Sequence, residues 1–135
     1  MIIADSDVLI DYLRNHGAMA ARVELELQTR SFGTTAVTAA ELWAGARSPR
    51  QVAAVEAVLG AMDILPLDAE AAKKGGEVRR DLLVRGEDIG MADCLIAGIC
   101  MTRSCVLLTR NRRHFERISG LKLSIAGDPD FPDQR

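Results

Sequence analysis

Aromatic residues are scarce in this 135-residue chain: Tyr12, Phe32, Trp43, Phe115 and Phe131 are all of them, so its core must be built from Leu, Ile, Val and Ala. Apolar residues make up 48% of the sequence, enough for one compact domain of this length to fold without a covalent staple. Cysteine is also sparse. Cys94, Cys100 and Cys105 are odd in number, form no Cys-x-x-Cys pair and belong to no Cys/His cluster, which argues against a zinc site. Cys94 and Cys100 fall in an apolar helical stretch and read as reduced core thiols. No apolar run approaches the ~20 residues that span a bilayer. The opening Met1-Ile2-Ile3-Ala4-Asp5 has no basic segment and reaches a carboxylate too early for a secretory signal, so a soluble cytoplasmic protein is expected. Lysine is nearly missing, since fourteen of the seventeen basic residues are Arg. Several bunch together (Arg79, Arg80 and Arg85, then Arg103, Arg110, Arg112, Arg113 and Arg117). Forked guanidinium groups suit phosphates and partner carboxylates equally, and a codon-usage bias would give the same excess. The net charge of −2 argues against tight, nonspecific duplex binding.

What is present is an alternation of short apolar strands with helices, without repeats, low-complexity tracts or an internal linker. Strands are expected at Met1–Asp5, near Ser31–Thr35, at Ile64–Leu67, at Cys105–Thr109 and at Leu121–Ile125. Helices are expected from Val8 to Arg14 with Ser6 or Asp7 as cap, from Ala18 to about Leu27, from Thr38 to about Ala46, and from Pro49 to Leu59. A long helix follows Asp68 as its N-cap, with Gly75-Gly76 loosening its middle. A further helix covers roughly Gly90–Thr102, and a helical turn covers Arg112–Arg117. This pattern predicts an α/β fold: one domain over residues 1–126, with a mostly parallel five-stranded sheet flanked by helices on both faces. A short tail over 127–135, rich in Asp and Pro, is expected to fray.

In such folds ligands bind beyond the carboxyl ends of the strands. Asp5, Glu41, Asp93 and Asn111 stand where that rule points. Asp5 ends the first strand and can equally cap the first helix. Glu41 completes Thr38-Ala39-Ala40-Glu41, the pattern of a capping box. Asn111 alone would be a turn residue. Asp93 is harder to explain structurally, because Ile89, Ile96, Ala97 and Cys100 share its helix face, and a carboxylate facing a core must be paired, hydrogen-bonded or metal-bound. Taken together, several converging carboxylates must either stay partly protonated or bind a cation. All-oxygen donors favour Mg²⁺ or Mn²⁺ over zinc, and that chemistry points to phosphodiester hydrolysis by metal-activated water.

From Met1 to about Ile125 the chain resembles PIN-domain proteins, specifically VapC-type toxins of bacterial toxin–antitoxin pairs. The resemblance is carried by Ile3-Ala4-Asp5-Ser6-Asp7-Val8-Leu9-Ile10-Asp11, Thr38-Ala39-Ala40-Glu41-Leu42, Ile89-Gly90-Met91-Ala92-Asp93-Cys94-Leu95-Ile96-Ala97 and Leu108-Thr109-Arg110-Asn111-Arg112-Arg113-His114-Phe115. It implies a five-stranded parallel sheet and endoribonuclease activity with Mg²⁺ or Mn²⁺. Asp5, Glu41 and Asp93 match the three acidic positions of the family and would be the metal ligands. The fourth acid falls at Asn111, where an amide can still orient a water or a ligand. Ser6 replaces the usual Thr and keeps a hydroxyl for a carboxylate or a phosphate, while Asp7 adds charge beside the site. The resemblance also implies a homodimer and a cognate antitoxin that covers the active-site groove, with Leu25, Leu27, Leu42 and Trp43 as either groove or core. Arg112 and Arg113 would then reach RNA phosphates or serve as solvated surface charge.

Three other readings compete. His16 and His114 could act as a metal-free acid–base pair through a ribose 2′-hydroxyl, although nothing in the sequence brings them together. A phosphorylation receiver domain would need Asp68 as acceptor and a Lys after the last strand, whereas Lys122 lies within it. A catalytically weak RNA-binding relative would keep the fold and account for Asn111.

Overall fold

The computed structural model describes residues 1–29 and 31–125. Five strands, β1 (Ile2–Ala4), β2 (Phe32–Thr35), β3 (Asp63–Leu65), β4 (Val106–Leu108) and β5 (Lys122–Ser124), form one sheet in the order β3-β2-β1-β4-β5. Every pairing is parallel, with Ala4 opposite Thr34 on one side and Leu108 on the other. The helices are α1 (Ser6–Leu13), α2 (Gly17–Leu27), α3 (Ala36–Gly45), α4 (Pro49–Gly60), α5 (Ala69–Val84), α6 (Met91–Thr102) and α7 (Arg112–Phe115). The expected fold class is thus the one observed. Among the described residues no helix is long and apolar enough to cross a membrane.

The two-residue period of the strands divides the core into two layers. Ile2, Ala4, Val106 and Leu108 face one layer, with Val8, Leu9, Val23, Leu42, Val55 and Leu59 from α1–α4. Ile3, Leu107 and Leu123 face the other, with Val78 and Leu82 of α5, Ile96, Ala97 and Cys100 of α6, and Phe115 of α7. The central strands are buried on both faces, so they read in sequence as continuous apolar runs rather than alternating ones. All three cysteines are free and buried, and burial pushes the Cys100 thiol well above its ordinary range. Cys94 and Cys100 are the free core thiols that the sequence suggested, and Cys105 joins them.

The structure decides the local alternatives and corrects the expectations for the start of α3 and for Gly75-Gly76. The cap of α1 is Asp5, one of the residues the sequence offered, whose carboxylate accepts from the Ser6 N–H; Ser6 and Asp7 lie inside the helix. The cap of α3 is Thr35, whose hydroxyl accepts from the Thr38 N–H at 3.0 Å. Thr38 therefore lies inside the helix, fully buried, and the Thr38–Glu41 capping box does not form. Gly75-Gly76 does not loosen α5, which runs unbroken because Gly75 is where α6 packs against it. Leu42 is core, whereas Leu25 (63% exposed) and Trp43 (43%) face solvent. The 127–135 tail lies outside the described residues.

Candidate metal centre

The sheet order reverses direction at β1: the chain leaves it for β2 on one side and returns later to β4 on the other. That switch point opens a crevice at the carboxyl ends of the strands, and Asp5 is the first residue beyond β1. Its backbone N–H donates to the Leu108 carbonyl at 2.9 Å, fixing the residue between β1 and β4. Its side chain is 4% exposed. One carboxylate oxygen accepts from the Ser6 N–H at 2.8 Å and the other from the Thr109 hydroxyl at 2.8 Å. No cationic side chain among the described residues pairs with it. Burial, and then the charge of Asp7, push the Asp5 carboxyl up to about 7 despite both hydrogen bonds.

Asp93 arrives from the opposite layer. It is the third residue of α6, in the first turn as the sequence suggested, where the helix dipole favours a carboxylate. Ile96, Ala97 and Cys100, on the same helix face, are fully buried, while Asp93 is partly open to the crevice. Its Oδ2 lies 2.8 Å from Nδ1 of His114. The turn that aims α6 depends on Gly90, at φ 90° and ψ 158°, a region that only glycine occupies without strain. Asp88 accepts from the Gly90 N–H at 3.0 Å and pairs with Arg79. The Gly90 N–H, then the Arg79 guanidinium, hold Asp88 below the usual carboxylate range. A Cβ at position 90 would meet nothing within 4 Å, so Gly90→Ala tests conformation alone. It is expected to cost about 1–3 kcal/mol, read as a lower Tm in thermal melts.

Because α3 begins at Ala36, Glu41 occupies its second turn rather than its first. It has no hydrogen-bond or ion-pair partner among the described residues. Partial desolvation, followed by the charge of Asp93, raises its carboxyl above the ordinary value, so α3 and α6 present interacting acids across the crevice. The three acids are thus graded: Asp5 is held by both oxygens, Asp93 by one and Glu41 by none. Among the described residues no three His, Cys, Asp or Glu side chains close directly around one ion.

The β4–α7 loop supplies the remaining contacts. Asp7 is raised chiefly by burial, and its oxygens accept from the Arg110 N–H at 3.1 and 3.4 Å, so its extra charge is taken up by the loop. Arg110 itself pairs with Asp11 at 2.8 Å. Asn111 shapes the loop: its N–H donates to the Thr109 hydroxyl at 2.9 Å, and its side-chain oxygen caps α7 by accepting from the His114 N–H at 3.4 Å. Among the described residues it bonds to none of the three acids. Arg112 pairs with Glu116 at 3.1 Å, while Arg113 is exposed and has no ion pair among the described residues. The Ser6 side chain makes no hydrogen bond among the described residues; only its N–H does.

Sequence reasoning missed Thr109 and did not foresee the contact of His114 with Asp93. Thr109 carried a usable signal, a hydroxyl just past a buried strand. Its meaning required knowing that β4 lies beside β1, which no local pattern reveals.

The donor set fits a hard divalent cation. It is all oxygen, it carries unneutralised negative charge that raises Asp5 and Glu41, and its open geometry suits an ion that keeps several waters.

The PIN domain family profile matches residues 2–121. A curated relative from Shigella flexneri, tRNA(fMet)-specific endonuclease VapC, is 32% identical over 122 residues, covering 87% of this chain and 92% of that protein. The crystal structure of DNA-bound VapBC from Salmonella typhimurium contains a chain 30% identical to this one, with a TM-score of 0.83 over 92% of this chain and 96% of that one. VapBC-5 from Mycobacterium tuberculosis, a member of the VapBC family of toxin–antitoxin systems, is 26% identical, with a TM-score of 0.56 over 70% of this chain and 79% of that one. The chain belongs to the PIN-domain family and, within it, to the VapC type.

Proposed function

We propose that the chain is a metal-dependent endoribonuclease, the toxin of a toxin–antitoxin pair, with Asp5, Asp93 and Glu41 holding Mg²⁺ or Mn²⁺. The observation that carries this reading is Asp5: a carboxylate buried at the topological switch point, pushed up to about 7, with no cationic side chain among the described residues to neutralise it. Such a group is costly to keep ionised unless something positive binds there. A bound divalent ion supplies charge neutralisation at a phosphodiester and lowers the pKa of its water ligands. The chain's own residues do the placing. Asp5 is held rigid by Ser6 and Thr109, Asp93 is presented by the first turn of α6, and Glu41 remains free to adjust from α3. Asn111 fixes the loop rather than the ion. The Ser6 hydroxyl and the exposed Arg113 are the groups proposed to meet RNA phosphates, with Arg112 shared between phosphate and Glu116. The named relatives include a tRNA-specific endonuclease, which supports RNA as the substrate class.

The partner half of the proposal rests on a cleft of about 510 Å³ beside Glu41, lined by Ile10, Leu13, Leu42, Ala54 and Val55, with Arg14 and Arg50 at its rim. An apolar groove that Glu41 borders suits an antitoxin segment that blocks access to that side of the site, and a solved relative belongs to a toxin–antitoxin system. The reading includes a homodimer acting in the cytoplasm.

The competing readings have less support. Asp68 accepts from the Ala71 N–H and pairs with Arg103 at the edge of the sheet, an ordinary helix cap. His16 stands at the start of α2 and shares no hydrogen bond with His114.

The test is cleavage of a labelled RNA panel with Mg²⁺ or with EDTA, with Asp93→Asn in parallel. Cutting that requires the metal and is lost in the variant is expected. Cutting indifferent to both EDTA and the substitution would sink the mechanism.

A further inference from the structure

Asp93 has one hydrogen-bond partner among the described residues, and it is a histidine placed there by a loop that also grips Asp5. We propose that His114 is a positioning residue for Asp93, fixing the carboxylate in the orientation that receives a divalent cation. The inference rests on the metal-site reading above.

The pair is close, at 2.8 Å between Nδ1 and Oδ2. A carboxylate can only accept, so the proton sits on Nδ1, and the second oxygen of Asp93 is left for an ion. Without the imidazole, Asp93 would have no side-chain hydrogen bond among the described residues to select its rotamer, since the rest of its helix face turns into the core.

His114 is itself well anchored although α7 spans only four residues. Phe115, the next residue, is fully buried in the same core layer as Ile96, Ala97 and Cys100 of α6, which clamps α7 onto the helix carrying Asp93. At the other end the Asn111 side chain accepts from the His114 N–H, and the Asn111 N–H donates to Thr109. The Thr109 hydroxyl then donates to Asp5. One continuous path, Asp5–Thr109–Asn111–His114–Asp93, therefore ties together two carboxylates that come from opposite layers of the fold. Residues that hold a ligating side chain in this way typically affect metal affinity about ten- to hundredfold when removed.

The test is Mn²⁺ binding to the full-length chain by titration calorimetry, comparing wild type with Asp93→Asn, His114→Ala, His114→Leu and His114→Asn. Circular dichroism and metal-free melts establish that each variant is folded. Wild type is expected to bind and Asp93→Asn to lose binding. His114→Ala and His114→Leu should weaken binding about ten- to hundredfold, and the two apolar variants keep the comparison available if one fails to fold. His114→Asn, whose amide nitrogen can take the place of Nδ1, should stay within about threefold of wild type. The proposal is overturned if the apolar variants bind like wild type, if they bind more tightly, or if His114→Asn is as weak as they are. No binding by wild type, or undiminished binding by Asp93→Asn, would instead overturn the metal-site reading and take this inference with it.

Discussion

Asp5→Asn is expected to abolish RNA cleavage while making the metal-free protein more stable at pH 8. The first effect follows from removing the most rigidly held carboxylate of the site, and a loss of about two orders of magnitude or more is expected. The second follows from proton linkage. The folded carboxyl is raised to about 7, whereas the unfolded chain releases this proton near its ordinary value of 3.8. Between those two values the folded state binds more protons than the unfolded state, so stability falls as pH rises through that window and then levels off. A shift of this size corresponds to a loss on the order of 4 kcal/mol. The asparagine keeps an oxygen for the Ser6 N–H and carries no charge, so it escapes the loss. Thermal melts in EDTA at pH 5 and pH 8 should therefore show wild type falling relative to Asp5→Asn by on the order of 10 °C. Mg²⁺ should return that stability to wild type at pH 8, and should do nothing for the variant. Parallel pH profiles for the two proteins would contradict the account. On the proposed metal-site reading, the same arithmetic explains why a protein would keep an unfavourable charge at a buried position: the repulsion that destabilises the metal-free form would be the attraction that binds the ion.

Residues whose role is local were legible in the sequence. Asp68 as the cap of α5 and Pro49 at the start of α4 need only their neighbours, and both stand where expected. Asp93 was legible through periodicity, because a carboxylate on an apolar helix face is an anomaly whatever the fold. The residues that were not legible depend on adjacency across the sheet. Thr109 bonds to Asp5 from 104 positions away, and only the β1–β4 pairing brings them together. The contact of His114 with Asp93 was not legible for a related reason: the docking of α7 against α6 is a tertiary fact. The α3 cap was misplaced because Thr35 and Thr38 offer the same hydroxyl three residues apart, and the choice is made by where β2 ends. Each of these is a case of long-range geometry deciding between locally equivalent options.

Gly98→Ala is expected to be the most damaging small substitution in the core, and Gly75 and Gly76 show why glycine alone says little. A Cβ at Gly98 would lie 2.5 Å from the Ala71 carbonyl oxygen and 2.7 Å from the Gly75 nitrogen, both backbone atoms of α5. A Cβ at Gly75 would lie 2.9 Å from the Cys94 carbonyl oxygen and 3.1 Å from the Leu95 Cα. The two helices thus meet backbone to backbone, and neither side chain could be accommodated without moving a whole helix. Alanine would gain up to about 1 kcal/mol of helix propensity at either site, but overpacking against an immobile backbone should outweigh it, for a net loss of roughly 3 kcal/mol at Gly98. That corresponds to a fall in Tm on the order of 10 °C. Gly76 is next in sequence, exposed, and its Cβ would meet nothing within 4 Å, so Gly76→Ala should stabilise by about 0.5–1 kcal/mol. Opposite signs from adjacent glycines in one helix, read in the same melting experiment, distinguish a close helix crossing from a weak point in α5. If Gly75→Ala and Gly76→Ala both stabilise, the crossing is looser than described, and Asp93, five residues before Gly98 on α6, is held by His114 and the α6 turn rather than by the packing of its helix.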